Sequence, residues 1–488
     1  PVPSLRATTA AALGIDLASA SRAEVDAVEQ SCREKVEALA AAGWVAAPGP
    51  AGPDDPTLGW VASRLVPALG RTADELDNIV AALEGRFVPP GPSGAPSRGA
   101  AHVLPTGRNF YSVDPKALPT RLAWDVGRRL ADGVVGRYVA ETGAPPRTIG
   151  LVLWGTAAMR TGGDDAAQAL ALLGVRPVWD AASGRVVGVE AVSLEELGRP
   201  RVDVTLRISG FFRDAFPQLV ALLDDAVRLA AAQDEDSEHN PVRAAGGSDA
   251  RIFGPPPGGY GSGILAVIEQ GSWRSDADLG EVYLAWSGFA YTRAERGRAA
   301  PEEMRRRFSA IDVAVKNQDN REHDIFDSDD YLQDHGGMVA AVRALTGRSP
   351  RAWFGDTADP AHPQVRALAE EAARVVRSRV LNPKWIGAMR GHGYKGAFEL
   401  VATVDYLFGY DATTGVVEDW MYERVTDSYV ADTEMREFFR RSNPTALRAI
   451  AERLLEAADR GLWDAPTEAA RKTLVDAVLE VEGWEEGT

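Results

Sequence analysis

The sequence predicts an α/β protein: a βαβ-containing sheet domain flanked by an amino-terminal helical segment and a mostly helical carboxy-terminal domain. Residues 149–179 show a strand, a helix and a strand in succession. Residues 202–208 alternate apolar and polar side chains with the two-residue period of a strand. Helical periodicity dominates both ends of the chain. We therefore expect three domains, over residues 1–100, 101–300 and 301–488.

The first segment is predicted to be helical through residue 87. An amphipathic run begins at Thr72 and continues through Leu76, Ile79 and Leu83 at helical spacing. Residues 88–97 contain prolines and glycines that cannot continue a helix. Their composition favours a plain linker, and a loop that lines a cleft is the alternative.

The sheet domain begins with a helix whose apolar residues are Leu122, Val126, Leu130 and Val134, four apart on one face. A strand is predicted at residues 149–154 and a helix at 164–173, ended by Gly174. A second strand follows at 175–179. This order predicts a βαβ unit with parallel strands.

The strand predicted at residues 202–208 leads into a turn at 209–214 and a helix from Pro217 to about residue 232. In open α/β sheets, ligands bind at the carboxyl ends of the strands. The turn is therefore placed for binding. After residue 300 the strand signals weaken, and helical patterns such as 364–380 and 445–455 predict a mostly helical domain.

Composition excludes several classes of protein. The net charge of -17 would repel a phosphate backbone, so nucleic acid is not an expected partner. No apolar run reaches the ~18 residues of a membrane span. The chain has one cysteine, Cys32, and begins without the pattern of a secretion signal, so we expect a cytoplasmic location.

Residues 315–330 contain the densest set of metal-capable groups in the sequence, with carboxylates around the single imidazole of His323. If this stretch is helical, His323 and Asp327 lie four apart on one face, as two ligands of a transition metal would. The alternative is an acidic capped turn, with Asp327 or Asp329 starting the next helix. Composition alone favours the turn.

A glycine-rich stretch at residues 251–263 carries three prolines and Tyr260. It lacks the G-x-G-x-x-G spacing of a dinucleotide loop. It is either an ordinary turn or a loop whose backbone approaches a large flat ligand while Tyr260 stacks on it. Asn240, beside His239, is a further polar candidate next to residues that permit tight turns.

The chain contains no G-x-x-x-x-G-K-[ST] motif, so any ATP must be used by a partner rather than bound here through a P-loop. It also lacks the G-x-S-x-G, H-E-x-x-H and paired C-x-x-C patterns. Serine-hydrolase chemistry and a structural zinc site therefore lose support.

Five segments together resemble the tetrapyrrole-binding subunits of the CobN / magnesium chelatase H subunit family, and more closely its aerobic cobaltochelatase branch, the CobN large subunits. They are residues 85–94, 104–111, 210–214, 251–263 and 381–385. The stretch from Asn317 to Asp324 is similar to the cobalt branch because it carries His323. An imidazole suits cobalt, whereas magnesium prefers oxygen ligands.

The resemblance implies ATP-dependent insertion of Co(II) into hydrogenobyrinic acid a,c-diamide in cobalamin biosynthesis. It also implies two partner subunits, a ring-forming ATPase and a second accessory subunit, which use ATP and magnesium. Members of this family are longer, so the resemblance implies that the chain corresponds to their carboxy-terminal portion.

Metal insertion needs three kinds of residue, and the resembling segments supply candidates for each. Arginine forks grip carboxylates, aromatic rings cover apolar faces, and an imidazole with carboxylates passes a metal ion or accepts protons. The expected catalytic residues are His323, Asp324 and Asp327. The expected metal ligands are His323, Asp327 and Asp329. The expected substrate-binding residues are Arg108, Asn109, Tyr111, Phe211, Arg213, Asn240, Tyr260 and Arg321, with Phe110 and Phe212 as further apolar cover.

Two other functions stay open. One is a magnesium chelatase H-type subunit acting on protoporphyrin. The other is a non-catalytic module that binds a tetrapyrrole or serves as a scaffold for the ATPase partner.

Overall fold

The computed structural model describes residues 4–17, 20–45, 55–92, 96, 101–108, 113–246 and 249–486. The chain divides into two compact units, Pro1–Ser112 and Val113–Thr488. No helix in the described ranges is long and apolar enough to cross a membrane.

The α-helices of the first unit lie between residues 5 and 83, in the segment predicted to be helical. Ser21 caps the second helix: its side chain accepts from the backbone amide of Glu24, and the Glu24 carboxylate accepts from the backbone amide of Ser21. The two bonds form a capping box. A π-helical segment, Val61–Leu65, joins α3 to α4. The helices are α1 Leu5–Ala12, α2 Arg22–Ala41, α3 Pro56–Trp60, α4 Val66–Leu69 and α5 Asp74–Leu83.

The second unit is built on an eight-stranded mixed sheet with the order β10-β9-β8-β1-β4-β5-β6-β7. Strands β1, β4, β5, β8 and β9 are parallel to one another, and β6, β7 and β10 extend the sheet by antiparallel pairing. The strands are β1 Thr148–Leu153, β2 Val175–Trp179, β3 Val186–Ala191, β4 Asp203–Ile208, β5 Ile252–Gly254, β6 Phe289–Tyr291, β7 Arg296–Ala299, β8 Val313–Gln318, β9 Arg351–Asp356 and β10 Gln364–Ala367.

Helices surround this sheet, and three π-helical segments, Leu332–Gly336, Val376–Val380 and Thr426–Ala431, interrupt the later ones. The helices of the second unit are α6 Arg121–Thr142, α7 Gly155–Thr161, α8 Asp164–Leu173, α9 Leu194–Leu197, α10 Gly210–Ala215, α11 Pro217–Ala231, α12 Pro241–Ala244, α13 Ile264–Glu269, α14 Asp276–Ser287, α15 Pro301–Ser309, α16 Asp329–Tyr331, α17 Gly337–Thr346, α18 Leu368–Val375, α19 Pro383–Gly391, α20 Gly393–Thr414, α21 Asp419–Val425, α22 Thr433–Ser442, α23 Pro444–Asp459 and α24 Glu468–Glu486.

Both faces of the sheet are covered because side chains alternate along each strand. Ile149 and Leu151 of β1 face one core, which α6, α8 and α11 close. Val152 of β1 and Ala314 of β8 face the other core, which α14, α15, α17 and the carboxy-terminal helices close. The predicted fold class, an α/β sheet flanked by helical segments, is confirmed.

The predicted βαβ unit exists, but its second strand is β4 and not β2. The helix α8 and the strand β2 have the predicted bounds. However, β2 pairs only with β3, in a separate antiparallel ribbon, whereas β1 pairs with β4 in parallel. Burial accounts for the difference: β2, which contains Pro177, is partly exposed, while every residue of β4 is buried.

The alternating pattern at residues 202–208 predicted a strand, and in the structure both faces of that strand, β4, are buried. Asp203, Thr205 and Arg207 are as buried as their apolar neighbours. Asp203 pairs with two buried arginines, Arg251 and Arg307, so its charge is compensated inside the core. Period-two alternation predicts the strand, but it cannot distinguish exposed polar residues from paired ones.

Three strands beyond residue 300 were not predicted. Residues 364–367, expected to start a helix, form the edge strand β10. The strand β8 ends in Lys316, Asn317 and Gln318, which are polar yet buried. Strands from both sides of residue 300 thus share one sheet, and the three-domain division stays a prediction.

A buried carboxyl in the helical part makes stability depend on pH. Burial raises the pKa of Asp411 to about 6, and its oxygens accept from Val417 N and Tyr422 Oη. Because the pKa of this carboxyl is higher in the folded than in the unfolded protein, its protonation stabilises the fold at low pH. This stabilisation is fully present below the unfolded-state pKa and is lost as pH rises through about 6. Relative to Asp411→Asn, the wild type should therefore gain about 2 kcal/mol between about pH 7.5 and about pH 4.5. Urea unfolding of both proteins across that range measures it, and a pH-independent difference would contradict the assignment.

Candidate functional site

The carboxyl ends of the five parallel strands form one edge of the sheet. The segments that follow them begin at Trp154 after β1, Ser209 after β4, Pro255 after β5, Asp319 after β8 and Thr357 after β9. We call this the carboxyl edge. Ligands of open α/β sheets bind at such an edge. The predicted turn at 209–214 is instead the helix α10, capped by Ser209. This helix, the Tyr260 loop (residues 255–263) and the His323 loop (residues 319–328) all lie on the carboxyl edge.

The His323 loop follows β8, and two strands, β1 and β4, separate β8 from the strand that carries the Tyr260 loop. At about 4.8 Å between neighbouring strands, the two loops start about 14 Å apart. The loops are therefore neither adjacent nor on opposite sides of the molecule. They flank the ends of β1 and β4.

The His323 loop is not helical, so the condition under which His323 and Asp327 would share one helical face is not met. The side chain of Asn320 accepts from the backbone amides of Glu322 and His323 and so holds a turn. Ser328 caps the helix α16, which begins at Asp329 as the capped-turn alternative predicted. His323 Nδ1 nevertheless lies 3.5 Å from Asp327 Oδ2, because the turn folds the chain back.

The two members of this pair differ in environment. The His323 side chain is 64% exposed, whereas that of Asp327 is 21% exposed. Asp327 Oδ1 is buried without a hydrogen-bond partner in the described part of the chain. Burial, reinforced by the neighbouring Asp324, raises the pKa of Asp327 to about 6. Asp327 thus exchanges a proton near neutrality.

The other two acidic candidates are engaged with protein groups. Asp324 pairs with Arg379, whose Nη2 lies 2.8 Å from Asp324 Oδ1. Asp329 accepts from Gln333 Nε2 at 2.7 Å. Within the described residues, no three His, Cys, Asp or Glu side chains are grouped to hold a metal ion. The assignment of His323, Asp327 and Asp329 as joint ligands stays a prediction.

Phe211, in the helix α10, and Tyr260, in the Tyr260 loop, are exposed aromatic residues of the carboxyl edge, 40% and 60% exposed respectively. Two glycines let them pack closely. A Cβ at Gly155 would lie 2.5 Å from the ring of Phe211, and a Cβ at Gly210 would lie 2.5 Å from the ring of Tyr260. Close packing at these two positions requires glycine.

Arg213 holds the Tyr260 loop through hydrogen bonds to its backbone. Its Nη1 donates to the carbonyl oxygens of Pro256 and Gly259 at 2.6 and 3.0 Å, and it pairs with Asp214. Its guanidinium also lies 5.4 Å from the centre of the Tyr260 ring. Tyr260 Oη donates to Asp214. In this structure Arg213 is occupied by loop contacts, and its role toward a substrate carboxylate stays a prediction.

A cleft of about 660 Å³ opens beside Arg213, a volume in the usual range of ligand sites. Pro257 of the Tyr260 loop forms one end of it, and Leu222, Tyr291 and Arg293 line the rest. This cleft was not predicted from the sequence, because its walls come from segments far apart in the chain: residues 115–118, β3, α11 and the β6–β7 hairpin.

The remaining predicted residues are dispersed. Arg321 lies on the His323 loop and pairs with Asp356 at the end of β9. Asn240 is buried near the amino end of β4, where it caps α12 and donates to Ala230 O. Arg108 belongs to the first unit, where its carbonyl oxygen accepts from Gly91 N. Asn109, Phe110 and Tyr111 lie outside the described residues.

The predictions missed several polar and aromatic groups at the carboxyl edge. Trp154 directly follows β1, and its Nε1 donates to Asp334 Oδ2 at 2.7 Å. The buried Lys316 lies with its Nζ 4.0 Å from the centre of the Trp154 ring, and burial lowers its pKa. The carboxylate of Asp319 accepts two hydrogen bonds from the guanidinium group of Arg160. Trp154 and Asp319 directly follow strands, and that position is the signal that could have found them.

Comparison with known proteins gives a family. The CobN/Magnesium Chelatase family model matches residues 1–470. The aerobic cobaltochelatase subunit CobN of Pseudomonas aeruginosa is 52% identical over 427 residues, 84% of this chain and 34% of the relative. The CobN subunit of Sinorhizobium sp is 47% identical over 460 residues, 90% of this chain and 36% of the relative. The magnesium-chelatase subunit ChlH of Oryza sativa subsp. japonica is 37% identical over 431 residues, 85% of this chain and 31% of the relative.

Among solved structures, the catalytic subunit of cobaltochelatase from Mycobacterium tuberculosis superimposes with a TM-score of 0.93 at 54% identity. The match covers 99% of this chain and 42% of that one. The chain spans about a third of the length of the curated relatives named above.

Proposed function

This chain belongs to the CobN/magnesium chelatase family, and we propose that it is the part of a cobaltochelatase subunit that holds the tetrapyrrole and receives the metal. The observation that carries the proposal is the carboxyl edge, which presents exposed aromatic rings and the His323–Asp327 pair on one side of the sheet. The substrate we propose is hydrogenobyrinic acid a,c-diamide, and the inserted ion is Co(II).

Two features favour cobalt over magnesium. The two CobN relatives named above are 52% and 47% identical to this chain, and the magnesium-chelatase relative is 37% identical. His323 also offers an imidazole nitrogen, which suits Co(II), whereas Mg²⁺ prefers oxygen ligands and keeps its water.

In the proposed mechanism, Phe211 and Tyr260 cover one face of the ring, and the His323 loop brings the ion toward it. Insertion requires the ring nitrogens to lose their protons while the ion loses water. His323 and Asp327 provide a weak pair of ligands that can release the ion inward. Asp327 also accepts a proton leaving the ring, since its raised pKa of about 6 makes it a stronger base than an ordinary aspartate.

In this proposal, partner subunits bind and hydrolyse the ATP. The sequence has no P-loop motif, so hydrolysis by a ring-forming ATPase subunit, with a second accessory subunit, would drive a conformational step at a distance. Magnesium would accompany that ATP.

The two exposed aromatic residues, Phe211 and Tyr260, allow a direct test of ring binding. In the full-length chain, Phe211→Ala and Tyr260→Ala should each weaken binding of the corrin precursor about tenfold, because each removes an exposed ring from the proposed contact. Absorption titration with the corrin precursor measures the dissociation constant. Tyr394→Ala, which removes an exposed tyrosine from α20, is the matched control and should bind normally.

The same titration separates the competing functions. Tight binding of protoporphyrin with no binding of the corrin precursor would establish the magnesium alternative. Binding of neither ring, with capture of the ATPase partner retained, would establish a scaffold and refute the proposed function.

A further inference from the structure

Arg207 is a buried cation whose contacts converge on the carboxyl edge. It lies near the end of β4, and its side chain is 1% exposed. Its Nη2 donates to the carbonyl oxygen of Gly261, in the Tyr260 loop, at 2.7 Å and lies 2.9 Å from Asp334 Oδ1. Its Nη1 donates to Ile208 O. One guanidinium thus ties the Tyr260 loop to Asp334.

Asp334 lies in the π-helical segment Leu332–Gly336 and extends this network to β1. Its second carboxylate oxygen accepts from Trp154 Nε1, and its backbone oxygen accepts from Tyr283 Oη at 3.1 Å. π-Helical turns within α-helices occur frequently at functional sites. Here the π-helical segment brings successive side chains toward the ends of three parallel strands.

Gln333, the residue before Asp334, contacts both proposed binding loops. Its Nε2 donates to Asp329 Oδ2 at 2.7 Å, at the start of the helix that follows the His323 loop. Its Oε1 accepts from the backbone amide of Ser262, in the Tyr260 loop, at 3.4 Å. Gln333 therefore bridges the loop proposed to cover the ring and the segment proposed to present the metal.

Arg207 and Gln333 are both buried, so neither side chain is placed to touch a ligand above the edge. Their bonds run to the backbone of the Tyr260 loop and to Asp329. Residues that fix the position of binding groups in this way act through those groups. A role in substrate binding would therefore be indirect.

We infer that Gln333 and Arg207 are positioning residues that hold the Tyr260 loop at a fixed place relative to Asp329, the first residue of α16, which directly follows the His323 loop. The consequence for ring binding rests on the proposed function. The positioning itself does not, because it concerns contacts within the protein.

Amide hydrogen exchange in the full-length chain tests the positioning without a ligand. Gln333→Leu should speed exchange in residues 258–263 about tenfold, since it removes the acceptor for Ser262 N and the bridge to Asp329. Arg207→Met should have the same local effect. Gln233→Leu is the matched control, because Gln233 Nε2 donates only to a carbonyl within its own helical turn among the described contacts. Unchanged exchange in residues 258–263 of Gln333→Leu would overturn the inference.

A double-mutant cycle tests the consequence for the ring. Gln333→Leu should weaken binding of the corrin precursor about tenfold in the wild-type background, and much less when Tyr260→Ala is already present. A general loss of stability would instead give additive effects and would overturn the positioning role. If the wild type binds no ring, the proposed function fails while the exchange experiment still decides the positioning.

Discussion

Replacement of Asp203 by alanine is expected to destabilise the second unit by about 3–5 kcal/mol, the usual cost of removing one member of a buried ion network. Asp203 Oδ2 lies 2.7 Å from Arg307 Nη2, and Oδ1 lies 3.2 Å from Arg251 Nε. Oδ1 also accepts from Val204 N. All three charged side chains are almost completely buried, so the substitution leaves two guanidinium groups without their carboxylate.

Urea unfolding followed by tryptophan fluorescence measures this loss. Glu281→Ala is the matched control: it removes the partner of Arg305 at the surface, and we expect a loss of at most about 1 kcal/mol. A loss below about 1 kcal/mol for Asp203→Ala would show that the buried arginines find other acceptors.

His323→Ala is expected to lower the rate of cobalt insertion about 100-fold while leaving binding of the corrin precursor unchanged. The effect is that of losing a group that carries the ion or a proton in the reaction. The ring should still bind, because Phe211 and Tyr260, the residues proposed to cover it, lie on other segments. Steady-state insertion assays with partner subunits present, alongside absorption titration, measure both quantities.

His239→Ala provides the control for this experiment. His239 is also an exposed histidine beside an aspartate, with Nδ1 2.9 Å from Asp236, but it lies near the amino end of β4. Its removal should leave insertion unchanged. Insertion at the normal rate by His323→Ala would remove His323 from the mechanism.

The sequence predicted those parts of the fold that depend on local patterns. Helix α8 and strand β2 have the predicted bounds, because Gly174, in the left-handed conformation, marks the end of the helix and the start of the strand. Strand pairing was not predictable in the same way. The choice of β4 over β2 as the neighbour of β1 depends on burial on both faces, which a single strand does not reveal.

Buried polar residues are the second reason why some strands were not predicted. Lys316, Asn317 and Gln318 do not form an apolar run, so β8 did not look like a strand. Asn317 is accommodated by residues distant in sequence, since its Nδ2 donates to Asp165 and Gln168 of α8, while Lys316 and Gln318 donate to the nearby backbone oxygens of Asn317 and His323. Such pairs become visible only when the chain is folded.

The candidate site was predictable in part for the same reasons. Phe211, Tyr260 and His323 follow strands, and parallel strands gather such residues at one edge. Asn240 looked similar in sequence, yet it caps a helix near the other end of β4. The roles of Trp154, Gln333 and Asp334 depend on contacts with residues far away in the chain.

The central claim is that the carboxyl edge of this sheet is where the ring receives its metal. A structure of the full-length chain with the corrin precursor bound tests it most directly. The ring should lie against Phe211 and Tyr260, with the His323 loop facing the centre of the macrocycle. A ring bound in the cleft between α11 and the β6–β7 hairpin, with the His323 loop out of reach of it, would contradict the claim.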